Sequence, residues 1–334
     1  MLNAITDIDG IRVGHASDYD GLTGCTVVLF DAPACCGVDV RGSAAGTSQI
    51  DALAVDHSVD EAHAIVLAGG SAFGLEAAVG VMRYLEERQI GYDAAVAKVP
   101  IVPAAAILDL GFGDNRARPT AQMGYDACAG AGRIVQEGSV GAGVGATVGK
   151  LFAMPRAMKG GLGTASVVLP DGAIVAALVV VNAFGDVIDN VTGKVIAGLR
   201  TAEGELALAN TVSCLREGQV RPGFGGAIGN TTLAVVATNV QFNKREIAKV
   251  ARMAQGGLVK TITPVHTTLD GDLVFSASLG SMKGDVNRVG VVGEFVVAEA
   301  IKRAVRKADG LGRLPAFKDV LRSSKAYPDR PPAD

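Results

Sequence analysis

The chain has 334 residues, of which 49% are hydrophobic and only 4% aromatic, and its formal net charge is −3. This length allows two domains or one large layered domain, and the apolar fraction is sufficient for an extensive core. The weakly acidic balance, with no basic stripe interleaved with aromatic residues, argues against a nucleic-acid partner.

Nothing in the sequence indicates secretion or a membrane. The longest apolar run, 173–181, is far shorter than the roughly 20 residues of a membrane-spanning helix. The N-terminus lacks the charged-then-apolar pattern of a signal peptide. The five cysteines include no Cys-x-x-Cys pair and are typical of small buried residues kept reduced. We therefore expect a soluble, cytoplasmic protein.

The N-terminal half alternates short apolar runs with glycine-rich turns, which predicts strands at 10–14, 24–30 and 64–68. After the third strand, Ser71 could cap a helix. The inner face of that helix would carry Leu75, Ala78, Val79, Met82 and Leu85. A second helix is predicted over 120–136. Strands leading through glycine into helices favour an α/β layer.

The C-terminal half predicts a hairpin of strands 166–169 and 173–182 around the Asp-Gly turn at 171–172. Further strands are expected at 233–240 and 273–278. Asn243 and Glu246 have the spacing of a capping box, so a helix should start there, and another is expected over about 290–308. We expect the segment 323–334 to be a disordered tail.

An Asn-Thr pair lies where the polar, glycine-rich loop 216–229 runs into the apolar strand 233–240. Two threonines at the start of a buried strand would be held in place by a rigid element. One interpretation is that the Asn230–Thr231 bond cleaves itself and leaves Thr231 as an N-terminal nucleophile. The other is an ordinary polar strand start, which the joint alone favours.

Other groups of residues give weaker indications of function. The pattern Gly141-x-Gly143-x-x-Ala146 matches a dinucleotide fingerprint, but the expected strand before it and helix after it are missing. Lys150, a lone lysine in this apolar stretch, is a candidate pocket residue. Asp270 and Asp272 flank a glycine, and without a metal they could act as orienting and proton-relay groups, although a plain Asp-Gly turn is the simpler interpretation.

Six motifs, in this order along the chain, resemble the DmpA-type aminopeptidase family, which includes L-aminopeptidase/D-esterases, β-aminopeptidases and nylon-oligomer hydrolases. The resemblance extends from about residue 4 to about residue 308, and the set of motifs is far more specific than any one of them. The motifs are VLAGGSAFGL (66–75), VPIVPAA (99–105), GAGVGATVGK (141–150), VNA (181–183), GNTTL (229–233) and PVHTTLDGD (264–272).

The resemblance implies an α/β (α+β) fold with four αββα layers, similar to N-terminal nucleophile hydrolases and ornithine acetyltransferases. It also implies one self-processing hydrolase domain, 1–322, cleaved into a large chain 1–230 and a small chain 231–334. The two chains would stay together in a homo-oligomer, such as a tetramer of heterodimers. No cofactor and no metal are implied.

The resemblance also assigns roles by position. Asn230 is the residue before the cut and Thr231 the nucleophile. Asn182 would donate to the oxyanion, Lys150 would lie near the nucleophile, and Asp270 and Asp272 would position the new amine and hydroxyl. Many aminopeptidases of the family use Ser where this chain has Thr. Some also have a Tyr as a further oxyanion donor where this chain has Leu108, which leaves the second donor undefined.

These roles describe amide hydrolysis through an acyl-enzyme, so we expect an aminopeptidase acting on short peptides or amides. An acyltransferase of the ornithine-acetyltransferase type and a nylon-type amide-oligomer hydrolase are the alternatives. A nucleotide-binding protein without catalytic activity, built on the loop 141–150, is a more distant third.

Overall fold

The computed structural model describes residues 1–220 and 229–326. The strands are β1 (Ile11–Asp18), β2 (Thr23–Val40), β3 (Gly46–Ser48), β4 (Glu61–Ala68), β5 (Tyr92–Asp93), β6 (Lys98–Val99), β7 (Ala104–Ala106), β8 (Thr147–Val148), β9 (Met158–Lys159), β10 (Gly161–Val168), β11 (Ile174–Asn182), β12 (Asp186–Ile188), β13 (Val195–Ala197), β14 (Thr231–Val240), β15 (Ile262–Thr263) and β16 (Leu273–Met282). The helices are α1 (Ala77–Glu86), α2 (Ala121–Ala129), α3 (Thr211–Arg216), α4 (Lys244–Thr261), α5 (Val286–Lys307) and α6 (Phe317–Ala326).

The long strand β2 joins two groups of strands. Its first part pairs with β1 and β4, and residues 35–40 pair with β16. The register of its pairing with β4 shifts between Leu29 and Ala34, where β2 changes partner. The strand order is β10-β11-β14-β16-β2-β4-β7-β3, with β1 beside β2. One hydrogen-bonded sheet therefore supplies both β layers of the molecule.

Alternate residues of these strands enter different cores, because successive side chains of a strand point to opposite faces. Phe30 and Leu67 from one group of strands pack in the same core as Val235 and Phe275 from the other. On the outer faces, residues of β4, β7 and the first part of β2 pack against α1 and α2. Residues of β10, β11, β14 and β16 pack against α4 and α5. The layers therefore follow the order α, β, β, α, as predicted.

The predicted strands are all present, and most are longer than expected. The predicted helix 120–136 starts after Thr120, which caps it, but ends at Ala129. The hairpin around Asp171-Gly172 is confirmed, and so is the capping box of Asn243 and Glu246 at the start of α4.

The prediction for the helix after Gly70 was wrong in two details. Ser71 does not cap it: Gly70 precedes a 3-10 turn, Ser71–Glu76, and Ser71 itself has φ 55°. Val79, expected on the inner face, is 54% exposed. A 3-10 turn advances about 120° per residue instead of 100°. The α-helical period counted from Ser71 is therefore out of phase with α1.

The C-terminal helix α6 was not predicted. It ends at Ala326, so the first four residues of the segment expected to be a disordered tail continue a helix, and 327–334 lie outside the described residues. Residues 221–228 of the predicted loop 216–229 also lie outside them. No helix in the described ranges is both long enough and apolar enough to cross a bilayer.

The sheet brings the predicted site residues to one place. In the antiparallel pairing of β11 with β14, Asn182 lies opposite Thr231. Strand β14 is parallel to β16, with Leu233 beside Leu273, and an isolated bridge between Asn230 and Asp270 continues that register toward the site. Three segments that are distant in sequence therefore meet at one end of β14.

Candidate active site

Thr231 is the first residue of β14 and is 3% exposed. Its Oγ1 donates to the carbonyl oxygen of Asn230 at 2.5 Å. The main-chain N–H of Gly271 donates to the same oxygen at 2.9 Å. The carbonyl oxygen of the Asn230–Thr231 bond thus accepts from the hydroxyl of Thr231 and from a main-chain donor.

Lys150 and Asn182 form one buried unit beside this bond. Lys150 Nζ donates to Asn182 Oδ1 at 2.8 Å, to the Asn182 carbonyl at 3.0 Å and to the Gly229 carbonyl at 3.0 Å. Asn182 Oδ1 also accepts from the Thr147 N–H at 3.0 Å. Since these partners only donate, they fix the orientation of the amide. Asn182 Nδ2 then faces the carbonyls of Leu108, at 3.2 Å, and Gly229, at 3.5 Å.

The two carboxylates hold the main chain around Thr231. Asp272 accepts from the N–H of Thr232 at 2.7 Å and from the N–H of His266 at 3.1 Å. Asp270 accepts from the N–H of Phe184 at 3.2 Å and from Thr267 Oγ1 at 2.6 Å. Burial, followed by the nearby charge of Asp272, raises the pKa of Asp270 to about 6. Asp270 can therefore change its protonation close to neutral pH.

A cavity of about 140 Å³ opens beside Thr231. Its walls are apolar apart from one hydroxyl group and the Asn230–Thr231 pair: they are Ala44, Ala45, Gly46, Ser71, Ala106, Leu108, Gly229, Asn230, Thr231 and Leu269. Two larger cavities, of about 460 and 510 Å³, lie along the segment around Arg313. Of these three cavities, the smaller one has Thr231 on its wall.

Sequence reasoning missed Asp109, which is 3% exposed and follows Leu108, a residue of the cavity wall. Its carboxylate accepts from the Gly70 N–H at 2.7 Å and from Thr23 Oγ1 at 2.8 Å. Burial raises its pKa. The single acid at the end of the apolar run 101–108 was the available signal, because a buried carboxylate needs built-in donors.

The glycine-rich loop 141–150 contacts Asp109 at Gly145. A Cβ on Gly145 would lie 2.1 Å from Asp109 Oδ2. On the other side, Lys159 Nζ donates to the carbonyls of Gly143 at 2.9 Å and Ala146 at 2.7 Å. Burial lowers the pKa of Lys159 to about 7, an effect that Asp109 opposes. The loop forms a 3-10 turn and the short β8, without the helix that a dinucleotide site requires.

The carboxylates Asp270 and Asp272 do not form a metal site with other side chains. In the described ranges, no group of three or more His, Cys, Asp or Glu side chains is arranged to hold a metal ion.

The sequence as a whole decides the family. Residues 3–313 match the sequence model of the family described as Peptidase family S58. The chain belongs to this family. It is therefore a hydrolase of peptide or amide bonds, and the predicted family is confirmed.

Two relatives show the range of the family. A Mycobacterium leprae protein described as an uncharacterized aminopeptidase is 39% identical, and the alignment covers 95% of this chain and 93% of that protein. A 6-aminohexanoate-oligomer endohydrolase from an Agromyces species is 34% identical, over 81% of this chain and 74% of that enzyme.

Two solved structures have the same fold. The L-aminopeptidase D-Ala-esterase/amidase of Ochrobactrum anthropi, described as a variant of the Ntn hydrolase fold, has a TM-score of 0.72 at 18% identity and covers 98% of this chain and 94% of that one. A Burkholderia β-aminopeptidase has a TM-score of 0.69 at 20% identity and covers 99% and 96%. At these identities the match shows the fold alone, and the predicted layered sandwich is confirmed.

Proposed function

We propose that this peptidase is a self-processing aminopeptidase with Thr231 as its N-terminal nucleophile. The observation that carries the proposal is the 2.5 Å contact between Thr231 Oγ1 and the carbonyl oxygen of Asn230. It supports an intramolecular attack, for which effective molarities of about 10⁵–10⁸ M are possible when the groups are aligned.

Cleavage would begin with an N-to-O acyl shift. Thr231 Oγ bonds to the Asn230 carbonyl carbon, the C–N bond breaks, and the hydroxyl proton passes to the departing nitrogen. Water then hydrolyses the ester, which leaves a carboxylate on Asn230 and a free amine on Thr231. An α-amine titrates at about 7.7–8.0, so it can serve near neutral pH as the base for its own hydroxyl.

In the processed enzyme the same hydroxyl would attack a substrate amide and form an acyl-enzyme. Asn182 Nδ2, oriented by Lys150 and Thr147, is the proposed donor to the oxyanion of that reaction. One such donor typically changes kcat by about 10²–10³. The carboxylates of Asp270 and Asp272 are proposed to orient the new amine of Thr231.

The proposed substrates are short peptides or amides with a free amine. The relative described as an uncharacterized aminopeptidase supports this choice. The relative named as a 6-aminohexanoate-oligomer endohydrolase favours amide oligomers as a second candidate. We also propose that the enzyme acts in the cytoplasm as a homo-oligomer of processed heterodimers.

Thr232 provides a matched control for the nucleophile, since it is also buried and its hydroxyl has no hydrogen-bond partner among the described residues. The variant Thr231→Val should remain one chain of 334 residues, whereas Thr232→Val should still yield two chains on denaturing electrophoresis. Cleavage of Thr231→Val at the wild-type rate would exclude Thr231 as the attacking group.

The processed protein should release p-nitroaniline from aminoacyl-p-nitroanilides and not from their N-acetylated counterparts. Equal rates on both would contradict an aminopeptidase, and 6-aminohexanoate oligomers in the same panel test the second candidate. Product analysis with an added amine acceptor separates hydrolysis from acyl transfer.

A further inference from the structure

The main-chain N–H of Gly271 lies against the peptide bond proposed to be cut. It donates to the Asn230 carbonyl oxygen at 2.9 Å, within the normal range of an N–H···O hydrogen bond. We propose that this N–H is the oxyanion donor of the self-cleavage step. The assignment rests on the proposed function, because it concerns the same bond and the same nucleophile.

The sheet, rather than a free loop, holds this donor. The bridge between Asn230 and Asp270 has the same offset as the pairing of Leu233 with Leu273 in β14 and β16. The hydrogen bond from the Gly271 N–H to the Asn230 carbonyl therefore continues the parallel ladder of β14 and β16. A donor fixed by a ladder is preorganised, so little reorganisation is needed when charge develops on the oxygen.

Only glycine fits at this position. A Cβ on residue 271 would lie 2.6 Å from Thr231 Oγ1 and 2.8 Å from the Ala44 carbonyl oxygen. The first contact would displace the nucleophile itself. The absence of a side chain thus lets the N–H approach the carbonyl while the hydroxyl keeps its place beside the same group.

The donors that the family resemblance suggested are directed elsewhere in the uncleaved chain. Asn182 Nδ2 faces the Gly229 carbonyl at 3.5 Å and the Leu108 carbonyl at 3.2 Å. The side chain of Leu108 offers no donor. The sequence left one oxyanion donor undefined. The N–H of Gly271 is a donor that reaches the Asn230 oxygen.

In the step itself, Thr231 Oγ bonds to the Asn230 carbonyl carbon and the π-electron pair of the carbonyl moves to its oxygen. The hydrogen bond from Gly271 strengthens as that oxygen becomes negative. When the C–N bond breaks, the pair returns to re-form the carbonyl of the ester, and the hydroxyl proton ends on the Thr231 nitrogen.

The test replaces the amide at Gly271 with an ester, by incorporating glycolic acid at an amber codon during cell-free translation. This change removes the N–H and adds no side chain. Self-cleavage, followed as the loss of the 334-residue chain, should slow by about 10²–10³. Cleavage within threefold of the natural rate would overturn the assignment.

Two controls use the same translation system. Glycine loaded at codon 271 restores the natural protein and must cleave; if it does not, the proposed self-processing fails, whatever Gly271 does. Glycolic acid at Gly312, which is not on the wall of the cavity beside Thr231, should leave cleavage at the natural rate. Slowing there equal to that at position 271 would contradict a specific role for the Gly271 N–H.

A second measurement does not require the ester protein to fold. In the uncleaved Thr231→Val protein, the Gly271 amide proton should be strongly protected from hydrogen exchange, because it is bonded to the Asn230 carbonyl. Exchange as fast as that of an unstructured glycine would show that the contact does not exist and would overturn the assignment.

Discussion

At the scale of single residues, the buried amide of Asn182 has a defined orientation that its hydrogen-bond partners impose. The match to family motifs predicts roles for Thr231, Lys150 and Asn182. That Asn182 turns its oxygen toward Lys150 and its nitrogen toward Gly229 is evident only in the structure. Such orientations depend on partners that are distant in the chain, which no local pattern encodes.

Asp270 should make stability depend on pH. Its pKa is raised to about 6 by burial and by Asp272, so between about pH 4 and 6 the folded chain holds a proton that the unfolded chain has lost. The free energy of unfolding should therefore fall as the pH rises through this window, by on the order of 1–3 kcal/mol. Denaturant titrations of the uncleaved Thr231→Val protein measure this.

The substitution Asp270→Asn in that background should reduce the fall between pH 4 and 6, and other buried carboxyls with a raised pKa, such as Asp109, would account for what remains. Asp20→Asn, at an exposed carboxylate, is the control and should leave the pH dependence unchanged. An Asp270→Asn protein with the same pH dependence as its parent would show that Asp270 is not the group responsible.

At the scale of elements, periodicity located most strands and helices, because each long element buries one face. It failed where a 3-10 turn precedes α1, since the phase of the buried face changes there. It also gave no role to the glycine-rich loop 141–150. At Gly145 the reason for a glycine is a distant carboxylate, Asp109, that occupies the space where a side chain would be.

Gly145→Ala tests this packing. Its Cβ would lie 2.1 Å from Asp109 Oδ2, so the loop or the carboxylate must move. We expect a loss of about 1–3 kcal/mol in the free energy of unfolding, as for other overpacked sites. Self-cleavage should also slow, because the same loop carries Lys150.

Gly132→Ala is the matched control, since a Cβ there meets nothing within 4 Å. Its free energy of unfolding should stay within about 0.5 kcal/mol of the wild type. If Gly145→Ala were equally neutral, the loop would not be held by the contact with Asp109.

At the scale of the whole molecule, the two proposed chains would be interleaved. Strands β14 and β16, which follow the proposed cut, pair with β11 on one side and with β2 on the other. Cleavage at the mouth of β14 would break one peptide bond and none of these ladders. The four-layer architecture was predicted from the family resemblance, because the exchange of partners along β2 leaves no local sequence pattern.

The chains should therefore stay together after cleavage until the whole domain unfolds. Size-exclusion chromatography without denaturant should elute both chains in one peak, and they should separate only at the denaturant concentration that unfolds the protein. Release of the small chain while the large chain remains folded would contradict this interleaved arrangement.

Self-cleavage of the Asn230–Thr231 bond is tested most directly by the intact mass of the wild-type protein under denaturing conditions. Self-cleavage at Thr231 predicts two chains, one of 230 residues ending at Asn230 and one of 104 residues beginning with an unmodified Thr231. A single chain of 334 residues after prolonged incubation, or a cut at any other bond, would contradict it.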